Sequence, residues 1–219
     1  MSLDLPGGKK RYFTGLVSRF EHIGVLGRRA HYRAVVKPWL WFLTRTANCR
    51  IFQEMTVPDI LMQVFRDRGF TDVEDTLNGN YRLRDYCVQY RETDFNFVSR
   101  LMEQEGIYYY FRHDAEKHQL VLADSPSSHD PFPGYPDIQY LPPSKEVGYD
   151  REYIDHWTNA KEVQPGVFAY KDFDMQKPKA NLEVKATILQ GHEKADFEYY
   201  DYPGDYTDIA HGEADAKKR

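Results

Sequence analysis

The sequence predicts a mainly β protein built around a central α+β unit, and three observations carry that reading. Among its 219 residues are 17 tyrosines and 13 phenylalanines, side chains that favour strands, many with one wet face. Several short segments alternate apolar and polar residues between Gly- and Pro-marked turns, as half-buried antiparallel strands do. The stretch from Tyr86 to Ala123, YCVQYRETDFNFVSRLMEQEGIYYYFRHDAEKHQLVLA, reads as one helix followed by one hairpin.

In that stretch Thr93 or Asp94 can cap a helix, because a short side-chain oxygen accepts from an orphan N–H of the first turn. Phe95, Val98 and Met102 fall at i, i+3 and i+7, with Phe97 and Leu101 beside them, making one apolar stripe. Ser99, Arg100, Glu103 and Gln104 face away. Gly106 closes the helix where a left-handed residue is wanted. Ile107 to Phe111 reads as a strand, Asp114 to Lys117 as a polar turn and Leu120 to Ala123 as the return strand.

Upstream, Met1 to Leu5 and Lys10 to Phe13 flank the turn Pro6-Gly7-Gly8-Lys9. The Gly-Gly-Lys-Lys run lacks the spaced first glycine and the Ser/Thr of a phosphate loop, so it reads as a hairpin. Phe13–Phe20 and Ala30–Val36 are expected as half-buried strands, with a loop at Gly24 to Gly27. Lys37 to Leu43, KPWLWFL, is either a bent strand or a short helix. Arg50–Glu54 reads as a strand. A second helix follows, capped at Thr56, with Pro58 in its first turn, a stripe of Ile60, Leu61, Val64 and Phe65, and Gly69 at its end. Thr56 to Gly69 and Thr93 to Gly106 each span 13 positions, and the two stripes superpose at a shift of 37. Internal duplication and coincidence both account for this.

Six prolines crowd Asp124 to Pro143, which marks a linker or long exposed connection. Glu152–Ala160, Val167–Phe173 and Leu182–Ile188 are candidate strands. FEYYDYPGDY, Phe197 to Tyr206, mixes acids and tyrosines about a Pro-Gly turn. Asp208 to Arg219 is helix-prone.

Composition narrows the function classes. Hydrophobic residues make up 41% and charged residues 29%, a globular balance. The net charge of −5 argues against a nucleic-acid-binding face. Cys49 and Cys87 form neither a disulfide framework nor a metal-knuckle spacing and fit folding in a reducing cytosol. No apolar run approaches the ~20 residues of a membrane span, and no signal peptide opens the chain.

There is no Gly-x-Ser-x-Gly elbow and no His-Glu-x-x-His. His113 and His118, with Asp114 and Glu116, could sit around a metal but read as solvated turn residues. His192-Glu193 reads the same way. Glu103 and Glu105 are two apart on a helix and point to different faces, so they do not form the facing carboxylate pair of a glycosidase. Tyr108-Tyr109-Tyr110-Phe111-Arg112 could stack bases, but strand alternation makes core plus rim the simpler reading. No catalytic, cofactor-binding or metal-ligating residue is assigned.

The segments PWLWFLTRTANCRIFQEMTVPDILMQVF, YCVQYRETDFNFVSRLMEQEGIYYYF, EVQPGVFAYKDFDMQKPKANLEV and YYDYPGDY resemble the VgrG (valine-glycine repeat) family, spike proteins of the bacterial type VI secretion system. The resemblance runs over nearly the whole chain. It implies a fold similar to contractile phage tail hubs, with two β-barrel subdomains flanking an α+β insertion. On that pattern residues 1–47 end the first barrel, 48–123 form the insertion, 124–148 connect, and 149–219 begin the second barrel. Family members extend beyond both ends, so the chain resembles a piece of the hub. The resemblance implies a non-enzymatic homotrimer mounted on a tube of Hcp rings. Baseplate components are its neighbours, and spike-tip protein and effectors attach through C-terminal parts. It also implies assembly in the cytoplasm and export by the type VI machinery without a signal peptide. A hub of a phage tail or related contractile particle is the alternative, and a cell-wall hydrolase is the rival from another class.

Overall fold

The structure is a computed structural model, and it describes residues 1–5, 8–129, 137–142, 153–188 and 191–218. The chain divides into two compact units, Met1–Ile154 and Asp155–Arg219.

The core of the first unit is the predicted α+β element. Helix α1, Val57–Asp67, is capped by Thr56, whose hydroxyl accepts from the Asp59 N–H, and Pro58 sits in the first turn. Helix α2, Asp94–Glu105, is capped by Thr93, which accepts from the Asn96 N–H; this settles the choice between Thr93 and Asp94. Gly106 ends α2 at a φ of 70°, a conformation that costs glycine little. Ile60, Leu61, Val64 and Phe65 of α1 and Phe97, Val98, Leu101 and Met102 of α2 are all buried, while Phe95 packs half-buried at the rim.

These stripes pack on strands. Strand β5, Ala47–Phe52, pairs antiparallel with β7, Cys87–Thr93. Strand β9, His118–Ala123, is central in a second sheet, antiparallel to β8, Tyr108–His113, and parallel to β6, Val73–Asp75. Each helix follows one strand of the β5–β7 pair. The segment left open as strand or helix is a 3-10 helix, Trp39–Arg45, directly after Pro38, and its Trp39, Leu40 and Leu43 enter the same core.

The N-terminal region differs from expectation in two ways. Strands β1, Ser2–Asp4, and β2, Lys10–Tyr12, form the expected hairpin, though Pro6 and Gly7 of its turn lie outside the described residues. Strand β3, Leu16–Leu26, runs through Gly24 instead of breaking there, and meets β4, Arg29–Lys37, at a turn of Gly27 and Arg28. A register shift between His22 and Gly24 absorbs the irregularity that looked like a loop. The expected half-burial also fails. Leu16, Val17, Phe20, Ile23, Val25, Leu26, Tyr32 and Val36 are all exposed, because among the described residues β3 and β4 pair only with each other. Alternation in sequence fixes two faces but cannot say whether anything covers either.

Of the connection, Pro126–Ser128 forms a 3-10 turn, and residues 130–136 and 143–148 lie outside the described residues. The strand expected over Glu152–Ala160 is a single bridge from Ile154 to Tyr140; Tyr153 and Trp157 are exposed, so the pattern has no core to serve. Glu152 lies outside the described residues. The second unit has β10, Val167–Tyr170, between antiparallel β11, Val184–Thr187, and parallel β12, Glu198–Asp201. Helix α3, Ile209–Lys218, completes it, and Tyr170, Leu182, Val184, Tyr206 and Ala216 form its core.

Candidate assembly surface

The described residues gather no catalytic constellation. They contain no group of three or more His, Cys, Asp or Glu side chains arranged to hold a metal. The one carboxylate buried among them is Asp94, and its surroundings are those of a structural anion. Arg50 reaches it at 2.8 Å from β5 and Arg68 at 2.6 Å from the end of α1. Gln89 donates at 2.8 Å and the Thr46 hydroxyl at 2.7 Å. Burial pushes the carboxyl pKa up, but the donors from Gln89, Arg68 and Thr46 and the charge of Arg50 outweigh it and hold it low. A general acid of a hydrolase needs the reverse shift.

His118 is buried, not solvated, and its Nε2 accepts the Trp39 N–H at 2.8 Å. His113 is exposed, and its Nδ1 accepts the Thr14 N–H at 3.1 Å. Asp114 accepts from the Glu116 and Lys117 amides within its own turn. Glu105 is tied to Arg84 at 2.8 Å, while Glu103 is exposed. His192 contacts the Glu193 carbonyl at 2.7 Å. Tyr109 and Phe111 pack on the core. Tyr108 and Tyr110 take the other face around His129, with ring centroids 5.5 and 5.0 Å away. That platform is filled by the chain's own histidine, as core plus rim requires. Cys49 is exposed and Cys87 buried, and neither is in a disulfide.

What the structure does present is apolar surface on unpartnered strands. On the β3–β4 hairpin Phe20 is 66% and Leu26 70% exposed, and Phe20 stacks on Tyr32 with centroids 5.3 Å apart. Arg19, Arg28, Arg29, Arg33 and Lys37 against the single acid Glu21 make the hairpin basic on a chain of net charge −5. A second strip lies on the outer face of β5 and β7, where Ile51, Val88 and Tyr90 are exposed while Phe52, Cys87 and Gln89 face the core. In the second unit Tyr199 and Tyr200 of β12 are exposed too. Extended apolar surface with open strand edges is the mark of a chain made to be covered.

The model of the phage tail baseplate hub (GPD) family matches residues 1–219. The chain belongs to this hub family. It is 50% identical over its whole length to the type VI secretion system spike protein VgrG1c of Pseudomonas aeruginosa, of which it covers 30%. It is 49% identical to VgrG1a of the same organism, of which it covers 34%. The chain therefore spans about a third of these relatives. The actin cross-linking toxin VgrG1 of Vibrio cholerae is 31% identical over 91% of this chain, a match that covers 18% of the toxin.

Among solved structures, the hub chain matches the E. coli type VI secretion component c3393 with a TM-score of 0.55 and 27% identity, over 65% of this chain and 39% of that one. That protein is described as similar to the T4 bacteriophage tail proteins gp27 and gp5. A tail protein of Neisseria meningitidis shares the fold at a TM-score of 0.63 and 15% identity, over 96% of this chain and 60% of that one. The mainly β, hub-like fold is thus established.

Proposed function

We propose that this chain is a structural segment of a type VI secretion spike, a non-enzymatic hub that caps the secretion tube and helps deliver effectors into target cells. The carrying observation is the 50% identity across every residue of the chain to a type VI spike protein. The exposed, basic, apolar hairpin supports it, since a hub works by being covered by neighbours. The partners are two further copies in a homotrimer, the Hcp rings and baseplate components, with spike-tip protein and effectors at the family's C-terminal end. Assembly takes place in the cytoplasm, followed by export through the type VI machinery. The division into residues 1–47 and 149–219 as barrel parts, 48–123 as insertion and 124–148 as connection belongs to the same reading. The seating of Trp39, Leu40 and Leu43 in the α+β core argues for moving the first boundary to about Pro38.

The match to the phage tail hub family favours a second reading, a hub of a phage tail or related contractile particle. One experiment separates the two. The gene is deleted in its host, and Hcp is measured in the culture supernatant. Loss of Hcp release, restored by the wild-type gene, is expected. Unchanged Hcp release, with the protein recovered in sedimenting contractile particles, would overturn the secretion reading in favour of the second.

A further inference from the structure

Two histidines hold the two ends of one hairpin. The β3–β4 hairpin occupies Leu16 to Lys37; Thr14 lies just before it and Trp39 just after it. His113 and His118 face each other as the register pair that flanks the turn of the β8–β9 hairpin, their ring centroids 5.9 Å apart. His113 takes the Thr14 end: Nδ1 accepts the Thr14 N–H at 3.1 Å, and the Thr14 hydroxyl donates to the Lys117 carbonyl at 2.6 Å. His118 takes the Trp39 end: Nε2 accepts the Trp39 N–H at 2.8 Å.

Each contact demands a neutral ring of one tautomer. A nitrogen that accepts an N–H carries no proton, so His113 holds its proton on Nε2 and His118 on Nδ1. An imidazolium has two N–H donors and no acceptor, so protonation replaces each hydrogen bond with two donors facing each other. We infer that the His113–His118 pair is a pH-sensitive clamp on the base of the β3–β4 hairpin, closed when both rings are neutral and released when they charge. The inference concerns how the hairpin is attached, not what docks on it, and does not rest on the proposed function.

The surroundings favour a cooperative release. His118 is buried and sits against the Phe111 ring. Its pKa is lowered first by burial and then by His113, with Asp72 opposing. Asp72 is itself engaged by Lys117 at 2.7 Å. Asp114 spends one oxygen on the turn amides. Phe13 lies beside His113 and carries Arg11 on its ring. Two imidazolium ions at this spacing would repel each other, so once the pair charges the closed form is disfavoured twice. The sign is fixed. His118, whose folded pKa is depressed, keeps its stabilising contact above the unfolded value, ~6.5 for histidine, and loses that stabilisation as pH falls below it.

Amide hydrogen exchange on the full chain, corrected for the intrinsic pH dependence of exchange, reads the clamp directly. Between pH 7.5 and 5.5 the protection of the Trp39 amide should fall several-fold, up to the ~10-fold that one histidine with an open-state pKa of ~6.5 can supply, while Leu61, Phe65 and Leu101 keep theirs. In the double variant H113N/H118Q the side-chain oxygens replace Nδ1 and Nε2 as acceptors without titrating, and protection should become independent of pH. Nitrogen chemical shifts of the wild-type rings at pH 7.5 need no variant, and should report a proton on Nε2 of His113 and on Nδ1 of His118. Unchanged protection in the wild type, an equal loss in the double variant, or the opposite tautomers would each overturn the clamp.

Discussion

The Asp94 carboxylate, first residue of α2, accepts from the Arg50 guanidinium at 2.8 Å and ties a helix start to a strand 44 positions earlier in the chain. Arg68, at the end of α1, closes the same knot from the other helix at 2.6 Å. The two helices and the β5–β7 pair are thus fastened at one fully buried anion.

That arrangement predicts the cost of neutralising it. Asp94→Asn keeps the shape but leaves Arg50 and Arg68 facing an uncharged amide. Removing one member of a buried ion pair costs ~3–5 kcal/mol, and a loss of that order is expected in urea denaturation at pH 7. The folded carboxyl pKa lies below its unfolded value. The stabilisation is therefore present above pH ~4 and is lost as pH falls below it. The variant should show less acid destabilisation than the parent; an identical acid limb would contradict the assignment.

Leu101 is fully buried among Phe97, Leu61 and Phe65 of the same core. Leu101→Ala should lower stability by ~2–5 kcal/mol, the range for buried leucines. Equilibrium denaturation checks it, and a cost under ~1 kcal/mol would mean the cavity collapses or the site is not packed as described.

How much of this could be read in advance depends on sequence separation. Both helices were legible because cap, stripe and terminal glycine lie within a few turns of one another. The Asp94 knot was not, since its arginines come from distant parts of the chain. A signal was nonetheless there: Asp94 stands three, four and seven positions before Phe97, Val98 and Leu101, so it extends the buried stripe, where an acid must find partners. Reading it only as a cap candidate hid that. His118 was misread because its turn looked polar. It is buried, and the amide it accepts from belongs to Trp39, 79 positions away. Strand β7 was missed as a separate element because its partner β5 is far off in sequence, and non-local pairing leaves little local trace.

In the second unit, Gly212 of α3 lies against the Tyr206 ring, and a Cβ there would stand 2.5 Å from ring carbons. Glycine to alanine inside a helix normally gains ~1 kcal/mol. Here overpacking, which costs ~1–3 kcal/mol, should reverse the sign. The Tyr206 hydroxyl donates to the Leu182 carbonyl, and burial, then the charge of Asp172, pushes its pKa up to about 12. Gly212→Ala should therefore loosen β11, seen as faster amide exchange at Val184 to Thr187. Slower exchange there would mean the ring yields freely.

The last prediction concerns the β3–β4 hairpin. Among the described residues its two strands pair only with each other, and Phe20, Ile23, Val25 and Leu26 are exposed. A two-stranded ribbon is marginal in water by itself, and its open edges and apolar faces invite a partner. In a solution of this chain alone the available partner is another copy, so the purified protein should self-associate through the hairpin, with an average mass that rises with concentration in light scattering. Phe20→Lys with Val25→Lys adds like charge to this already basic surface while touching nothing in the α+β core. The double variant should shift association to at least ~10-fold higher concentration, a change of ~1.4 kcal/mol, with the denaturation of the core unchanged. Raising salt should weaken apolar association little, because screening acts on exposed charges and not on buried apolar area. A protein that stays monomeric at high concentration, with slowly exchanging amides from Leu16 to Phe20, would show that the hairpin needs no cover and that the assembly surface lies elsewhere.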